Sequence, residues 1–400
     1  MHLKELSTKN TVRDFERALD KLPNEINDTY RQAINRINKQ APDDRDIALK
    51  ALKWTLLAVD VLSVRELRHA LAIEPDEHED DINEDALCAI EDVISACAGL
   101  LEVDQETQTV RLVHFTAREY FRKSTDPWLS SAQLHLAKAC IDYICLPSMR
   151  NVQTWSPHGE FHNFHPFFYY ASRNFGVHLK ASITIESAYI CLRYLDRVQT
   201  LPVALLAIAR TLPTSAVWKF PERDLELIKF PPAHVAATLR IPEIVKLLCE
   251  QDTKASSEID SWNNTPLHIA SSLEDVRSVE ELLKTHGDLD RCNQVHLNPL
   301  HCAIRVGRDV ESCTAIVKLL LEAGANPNVK LEYDVLPLHR VAEDHRDLFE
   351  IATLLVDHGA EVSARGDDDG ETALSKDYLE EPSPLPFSPL FSPFLFLQTN

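Results

Sequence analysis

From Leu22 the apolar positions Leu22, Ile26, Tyr30, Ile34 and Ile37 advance in steps of four and three, which paints one stripe on a helix and leaves the other faces polar. A second helix is expected over Ile47, Leu52 and Leu56, after the polar segment APDDRD. A third starts at Ser63, where Glu66 completes an S-x-x-E capping box and Leu67 and Leu71 turn inward. The acidic run EPDEHEDDINED separates these from a fourth helix through Leu87, Ile90 and Ile94, with Gly99 where a C-cap belongs. Apolar residues then gather in two short runs, LLEV and TVRLVHF, around the polar turn DQETQ, which reads as a hairpin. Helices followed by a small hairpin predict a winged helix. Beyond it, Thr116 and Glu119 again have capping-box spacing, with His114 just ahead of them.

The segment FHNFHPFFYYASRNFGVHLKAS, Phe161 to Ser182, interleaves aromatics with too few positive charges to hold a nucleic-acid backbone, so it predicts a buried helix. The C-terminal half is organised differently. PAHVAA, TPLHIA, NPLHCA and LPLHRVA place His234, His268, His301 and His339 close to the roughly 33-residue ankyrin period. In such a motif Thr265 caps a helix, Pro266 suits its first turn, Leu267 faces the stack, and His268 reaches a neighbouring loop. Leu300 with His301 and Leu338 with His339 repeat those positions. An apolar second helix follows each motif, and Gly287, Gly324 and Gly359 are expected to supply left-handed turns into the next finger loop. The third repeat is stretched around GRDVESCT, which should lengthen its first helix or the turn between helices. A last repeat starts at DGETALSK and breaks off. The proline-rich segment after Glu381 reads as a disordered tail and as the end of a truncated or mis-spliced repeat, with a PxxP ligand for an SH3-like domain as the alternative.

The expected fold is mostly α, with a winged-helix domain over 22–146, a helical aromatic-rich linker over 147–225 and an ankyrin α-solenoid over 226–376, followed by the tail over 377–400. Composition narrows the function. A formal charge of −21, from 41 basic and 62 acidic residues, supplies no footprint for nucleic acid or anionic lipid. Nine scattered cysteines without a CxxC pair suit reduced thiols in the cytoplasm, and no run of about 20 apolar residues is present to span a membrane. No metal is expected. The acidic run lacks the calcium-loop order, and His158, His162 and His165 are interrupted by Gly159 and Pro166. HExxH, GxSxG and dinucleotide fingerprints are missing, so neither catalytic residues nor a cofactor are assigned.

The stretch from LPNEINDTYRQAINRI through KALKWTLLAVDVLSVRELRHALAI to LLEVDQETQTVRLVHFTAREYF, Leu22 to Ser124, resembles the winged-helix region that follows the NACHT nucleotide-binding domain in fungal NOD-like (NACHT–ankyrin) proteins. The resemblance implies that residues 1–21 are the helical end of a NACHT module whose phosphate-binding loop is missing, since no glycine here is followed by lysine. It also implies an ancestral role for His114 as nucleotide sensor, because His114, Thr116, Glu119 and Tyr120 match an H-x-[ST]-x-x-E-[YF] stretch that approaches bound ADP in intact receptors. In this chain His114 is expected to act as a hinge residue. The leading expectation is a non-catalytic protein that binds a protein partner on the concave ankyrin face, with Trp262 and Tyr333 exposed at finger tips as first contacts. The alternatives are a regulatory fragment acting in trans on a separate NACHT-containing chain, and a DNA-binding winged helix, which the charge disfavours.

Overall fold

The computed structural model describes residues 27–73, 81–124, 126–151, 164–182, 229–285, 287–306, 309–330, 335–342, 348–366 and 371–372, together with 188, 192, 195 and 208. The structure is mostly helical and divides into two compact units, the first holding residues 1–147 and 156–182, the second the rest.

In the first unit, helix α1 (27–38) buries Tyr30, Ala33, Ile34 and Ile37, the stripe expected from the pattern; Leu22 and Ile26 lie outside the described residues. Helix α2 (Pro42–Leu57) opens with proline in its first turn and Asp43 and Asp44 beside the positive end of the helix dipole. Helix α3 (Val64–Ala72) is capped by the Ser63–Glu66 box: Ser63 N donates to Glu66 Oε2 at 2.7 Å and Glu66 N to Ser63 Oγ at 3.2 Å. Leu87 is not helical. Asn83 caps a single 3-10 turn, Glu84–Ala86, and helix α4 (Ile90–Ala96) begins only after it. Strands β1 (Leu101–Asp104) and β2 (Thr109–Leu112) pair antiparallel with Leu101 opposite Leu112. Residues 62–64 join them as a third edge, through Val64 N to Gln108 O and Val110 N to Leu62 O, both 2.9 Å, and the Ser63–Thr109 bridge. Three helices and this small sheet make the winged helix.

Helices α5 (Phe115–Arg122) and α6 (Ala132–Ile144) follow. The aromatic segment forms α7 (Phe168–Ala181), packed along α6 in the first unit's core. Phe167, just ahead of it, is the hub: its ring stands edge-on to Trp54 at 5.2 Å and to Tyr143 at 5.1 Å, and stacks on Tyr170 at 5.2 Å. Such ring pairs add about 0.5–1.5 kcal/mol each beyond burial.

The second unit contains four helix pairs: α8 (Pro232–Thr238) with α9 (Pro242–Gln251), α10 (Pro266–Ser272) with α11 (Val276–Leu283), α12 (Pro299–Val306) with α13 (Val310–Glu322), and α14 (Pro337–Ala342) with α15 (Phe349–Asp357). First helices pack on first helices and second on second, the neighbour-only contacts of a repeat array. A short pair, β3 (Arg365–Gly366) and β4 (Glu371–Thr372), follows; the rest of the partial repeat and the tail lie outside the described residues.

Two expectations are corrected. The extra residues of the third repeat appear chiefly in its second helix: α13 has 13 residues where α11 has 8, while α12 has 8 where α10 has 7, and residues 307–308 between α12 and α13 lie outside the described residues. Asp309 caps α13 by accepting from Glu311 N and Ser312 N, and Cys313, Ile316, Val317, Leu320 and Leu321 extend its buried stripe. Gly324 and Gly359 are left-handed, at φ +97° and +92°, but Gly287 is not. No helix among the described residues is long and apolar enough to cross a membrane.

Candidate interaction site

The ankyrin histidines are buried, and what each does is set by the residue three places before it. Burial holds His268 down to about 4, so its two ring nitrogens divide the roles of donor and acceptor. Thr265 N and Thr265 Oγ1 both lie within 3.0 Å of Nδ1 and donate to it, which puts the proton on Nε2. Nε2–H then donates to Leu297 O in the next repeat at 3.1 Å. His234, held down to about 3 by burial, makes the same crossing to Asn264 O at 2.8 Å. Its Nδ1 has no partner among the described residues, because Pro231 stands where Thr265 does and carries no N–H. In the fourth repeat, Leu336 N donates to His339 Nδ1 at 3.2 Å.

The third repeat inverts this arrangement. Asn298 Oδ1 accepts from His301 N at 2.9 Å and sits 2.6 Å from His301 Nδ1, so Nδ1 must be the protonated nitrogen. Nε2 is left as a buried acceptor, which no carbonyl can satisfy, and it meets no partner among the described residues. Burial, with a smaller contribution from Arg340, holds this ring down to about 3. Leu267, Leu300 and Leu338 are buried beside these histidines, and Pro266 opens α10.

The finger loops are joined by a second set of bonds. Asp260 Oδ1 accepts from Trp262 N and Asn264 N at 2.8 Å, and Asn293 Oδ1 accepts from Val295 N and Leu297 N at 3.0 Å, the same Asx turn one repeat on. Across them runs a buried ladder: Asn293 Nδ2 donates to Asn264 Oδ1, and Asn264 Nδ2 to Asp260 Oδ2, each at 2.9 Å. Asn263 and His296, at φ +61° and +60°, turn the chain back at equivalent places. Further along, Asn328 Nδ2 donates to Gly359 O and Asn328 Oδ1 accepts from Glu361 N, both at 2.9 Å.

This architecture corrects the expectation for Trp262. The Asx turn at Asp260 folds its indole inward, 6.2 Å from the Phe230 ring and 4% exposed, so it braces the loop and does not stand at the tip. Tyr333 lies outside the described residues. The first helices of these repeats, α8 and α10, are likewise almost wholly buried. What the loops do expose is polar: Gln294, His296, Asn326 and Lys330.

In the first unit His114, not Thr116, is the N-cap of α5. Its Nδ1 accepts from Thr116 N at 3.2 Å and lies 2.7 Å from Thr116 Oγ1, which Tyr30 Oη meets at 2.6 Å. Thr116 is thus drawn inside the helix, and Glu119 turns to Arg122 at 3.7 Å instead of closing a capping box. His114 and the ring of Phe115 stacked on it, 4.7 Å away, are exposed. Beside them opens a cleft of about 390 Å³ between the 58–62 loop and α5. The sequence reading missed it, since Val59 and Val61 carry no motif. Of the three spaced histidines, His165 is partly buried, which lowers its pKa, and His158 and His162 lie outside the described residues. No three His, Cys, Asp or Glu side chains among the described residues converge as metal ligands.

Known families match both units. Residues 35–132 match the family described as GPI inositol-deacylase, winged helix domain, and residues 233–331 match ankyrin repeats, in three copies.

Proposed function

We propose that this chain is a non-catalytic interaction protein, in which the ankyrin array holds a protein partner and the winged helix is the regulatory region of a NOD-like, signalling or non-self-recognition receptor. The observation that carries this is the buried Asp260–Asn264–Asn293 ladder, which fixes successive finger loops as one preformed edge with Gln294 and His296 exposed on it. Tyr333, in the loop before the fourth repeat, belongs to the same proposed edge.

The winged-helix family takes its printed description from an enzyme, yet in this reading the domain does no chemistry of its own. The ring nitrogens of His69 are occupied by Tyr143 Oη and Glu84 Oε1, both at 2.9 Å, and His178 is held between Tyr170 and Gln133. Nucleic acid is an unsuited partner, because the wing's Arg111 is already held by Glu102 at 2.9 Å and Asp104 at 3.0 Å. The eight cysteine thiols among the described residues suit a reducing cytoplasm.

The test uses the full chain as bait, followed by binding of the purified, identified partner to a variant with Gln294, His296, Asn326 and Lys330 all changed to Ala. Binding should fall at least tenfold with folding intact. Undiminished binding refutes the finger-loop edge.

A further inference from the structure

We propose that the cleft between the 58–62 loop and α5 is a docking site for a partner polypeptide segment that inserts one large apolar side chain next to a carboxylate. This stands apart from the ankyrin reading. Val59, Val61 and Phe115 are three of the eight large apolar side chains that stand exposed among the described residues, Val61 at 64% and Phe115 at 76%. They gather around one cleft, whose floor is the buried Leu62, Leu67 and Val110. Apolar surface concentrated in this way marks a contact site, and about 390 Å³ is enough for an anchoring side chain with its backbone.

The valines are held outward by construction. Val59 N donates to Tyr170 Oη at 3.1 Å, and that hydroxyl lies 2.9 Å from His178 Nε2, whose Nδ1 is 2.7 Å from Gln133 Oε1. Asn174 Nδ2 holds Asp60 at 3.4 Å, and the loop's far end is pinned to the wing through Leu62 O and Val64 N. A loop clamped at both ends does not collapse to cover Val59 and Val61, so little ordering remains to oppose binding.

The charge at the rim selects the occupant. Arg111 is neutralised by its two carboxylates, whereas Arg118 donates only to Thr55 O, at 3.4 Å, and meets no carboxylate among the described residues. A guanidinium beside an apolar cleft favours a segment with a carboxylate adjoining its apolar anchor. A lysine beside the anchor would set like charges together at Arg118, while Asp60, the carboxylate that also lines the cleft, is drawn to Asn174 Nδ2 at 3.4 Å.

The test measures fluorescence anisotropy on the full chain with three labelled 12-residue peptides: a Leu-Phe centre flanked by glutamates, the same centre flanked by lysines, and glutamates around an Ala-Ala centre. The first should bind at least tenfold tighter than the others. Arg118→Glu should reverse the preference between glutamate and lysine flanks, and Val61→Asp should abolish binding, with circular dichroism and the unfolding midpoint unchanged. Val59→Asp replaces Val61→Asp if that variant misfolds. Equal binding of all three peptides, no binding of the first below millimolar concentration, or an unchanged preference in Arg118→Glu overturns the proposal. So does a self-association in sedimentation that Val61→Asp dissolves, because a second copy would then be the occupant.

Discussion

His268 Nε2 donates to Leu297 O across 3.1 Å, so that a side chain of one ankyrin repeat closes the backbone of the next. His301 occupies the same place one repeat later with its proton on the opposite nitrogen. His268→Ala leaves Thr265 N without its acceptor and takes from Leu297 O the bond that crosses repeats, while Asn293 N still donates to that carbonyl at 2.8 Å, so the loss should be about 1–3 kcal/mol. His301→Ala breaks only its local bond to Asn298 and should cost less. Urea unfolding of the two variants checks this, and equal losses would contradict the crossing bond.

The tautomer itself is testable. Asn298→Thr should move the His301 proton from Nδ1 to Nε2, as Thr265 does for His268, and raise stability by about 0.5–1.5 kcal/mol if the new donor finds a carbonyl. Nitrogen-15 NMR of the ring reads the change directly; unaltered shifts would rule out control by the cap residue.

Acid should weaken the array. His234, His268 and His301 have folded values of about 3, 4 and 3 against 6.5, so below pH 6.5 the unfolded chain takes up protons that the folded one refuses. Their stability is full above pH 6.5 and is lost as pH falls toward 4, by up to about 1.4 kcal/mol per pH unit each. Asp260 opposes them: burial raises it to about 6, so its protonation favours the folded state as pH falls from 6 to 3.8. Three groups against one leave a net loss, read as a urea midpoint that declines from pH 7 to pH 5.

Asn264→Ala strands Asp260 Oδ2 and Asn293 Nδ2 together and should destabilise by about 2–4 kcal/mol. In a double-mutant cycle with Asn293→Ala the coupling should exceed about 0.5 kcal/mol. Additive losses would mean that the two amides do not act through each other.

Gly324→Ala forces a Cβ into φ +97° and should cost about 1–2 kcal/mol, whereas Gly287→Ala, with open space and no left-handed φ, should gain about 0.4–1 kcal/mol by restricting the unfolded chain. Thermal unfolding of both separates the two glycines by sign.

The repeat histidines and the wing were legible because their signals are local: a motif with a fixed period, and two apolar runs around a polar turn. Trp262 was not. Its burial depends on Asp260 two residues earlier, and the parallel spacing of Asn293 and Val295 is the sequence signal that could have revealed the turn. Val59 and Val61 were illegible for another reason. What holds them outward is Tyr170, Asn174 and His178, more than a hundred residues away, and no periodicity carries that information. His114 lies between these cases: its place at a helix start could be read, but not that its ring would displace Thr116 as the cap.

The inverted imidazole at His301 also bears on how the array would respond to force. The first three repeats are stitched by two histidine crossings, from His234 and His268, while the described seam between the third and fourth has packing but no such crossing. Tension applied along the array would therefore be carried across that seam by helix packing and by Asn326 N donating to Asp290 Oδ1 at 2.9 Å, with no histidine among the described residues sharing the load. That difference between neighbouring seams comes from a single asparagine, Asn298, where the preceding repeat has threonine.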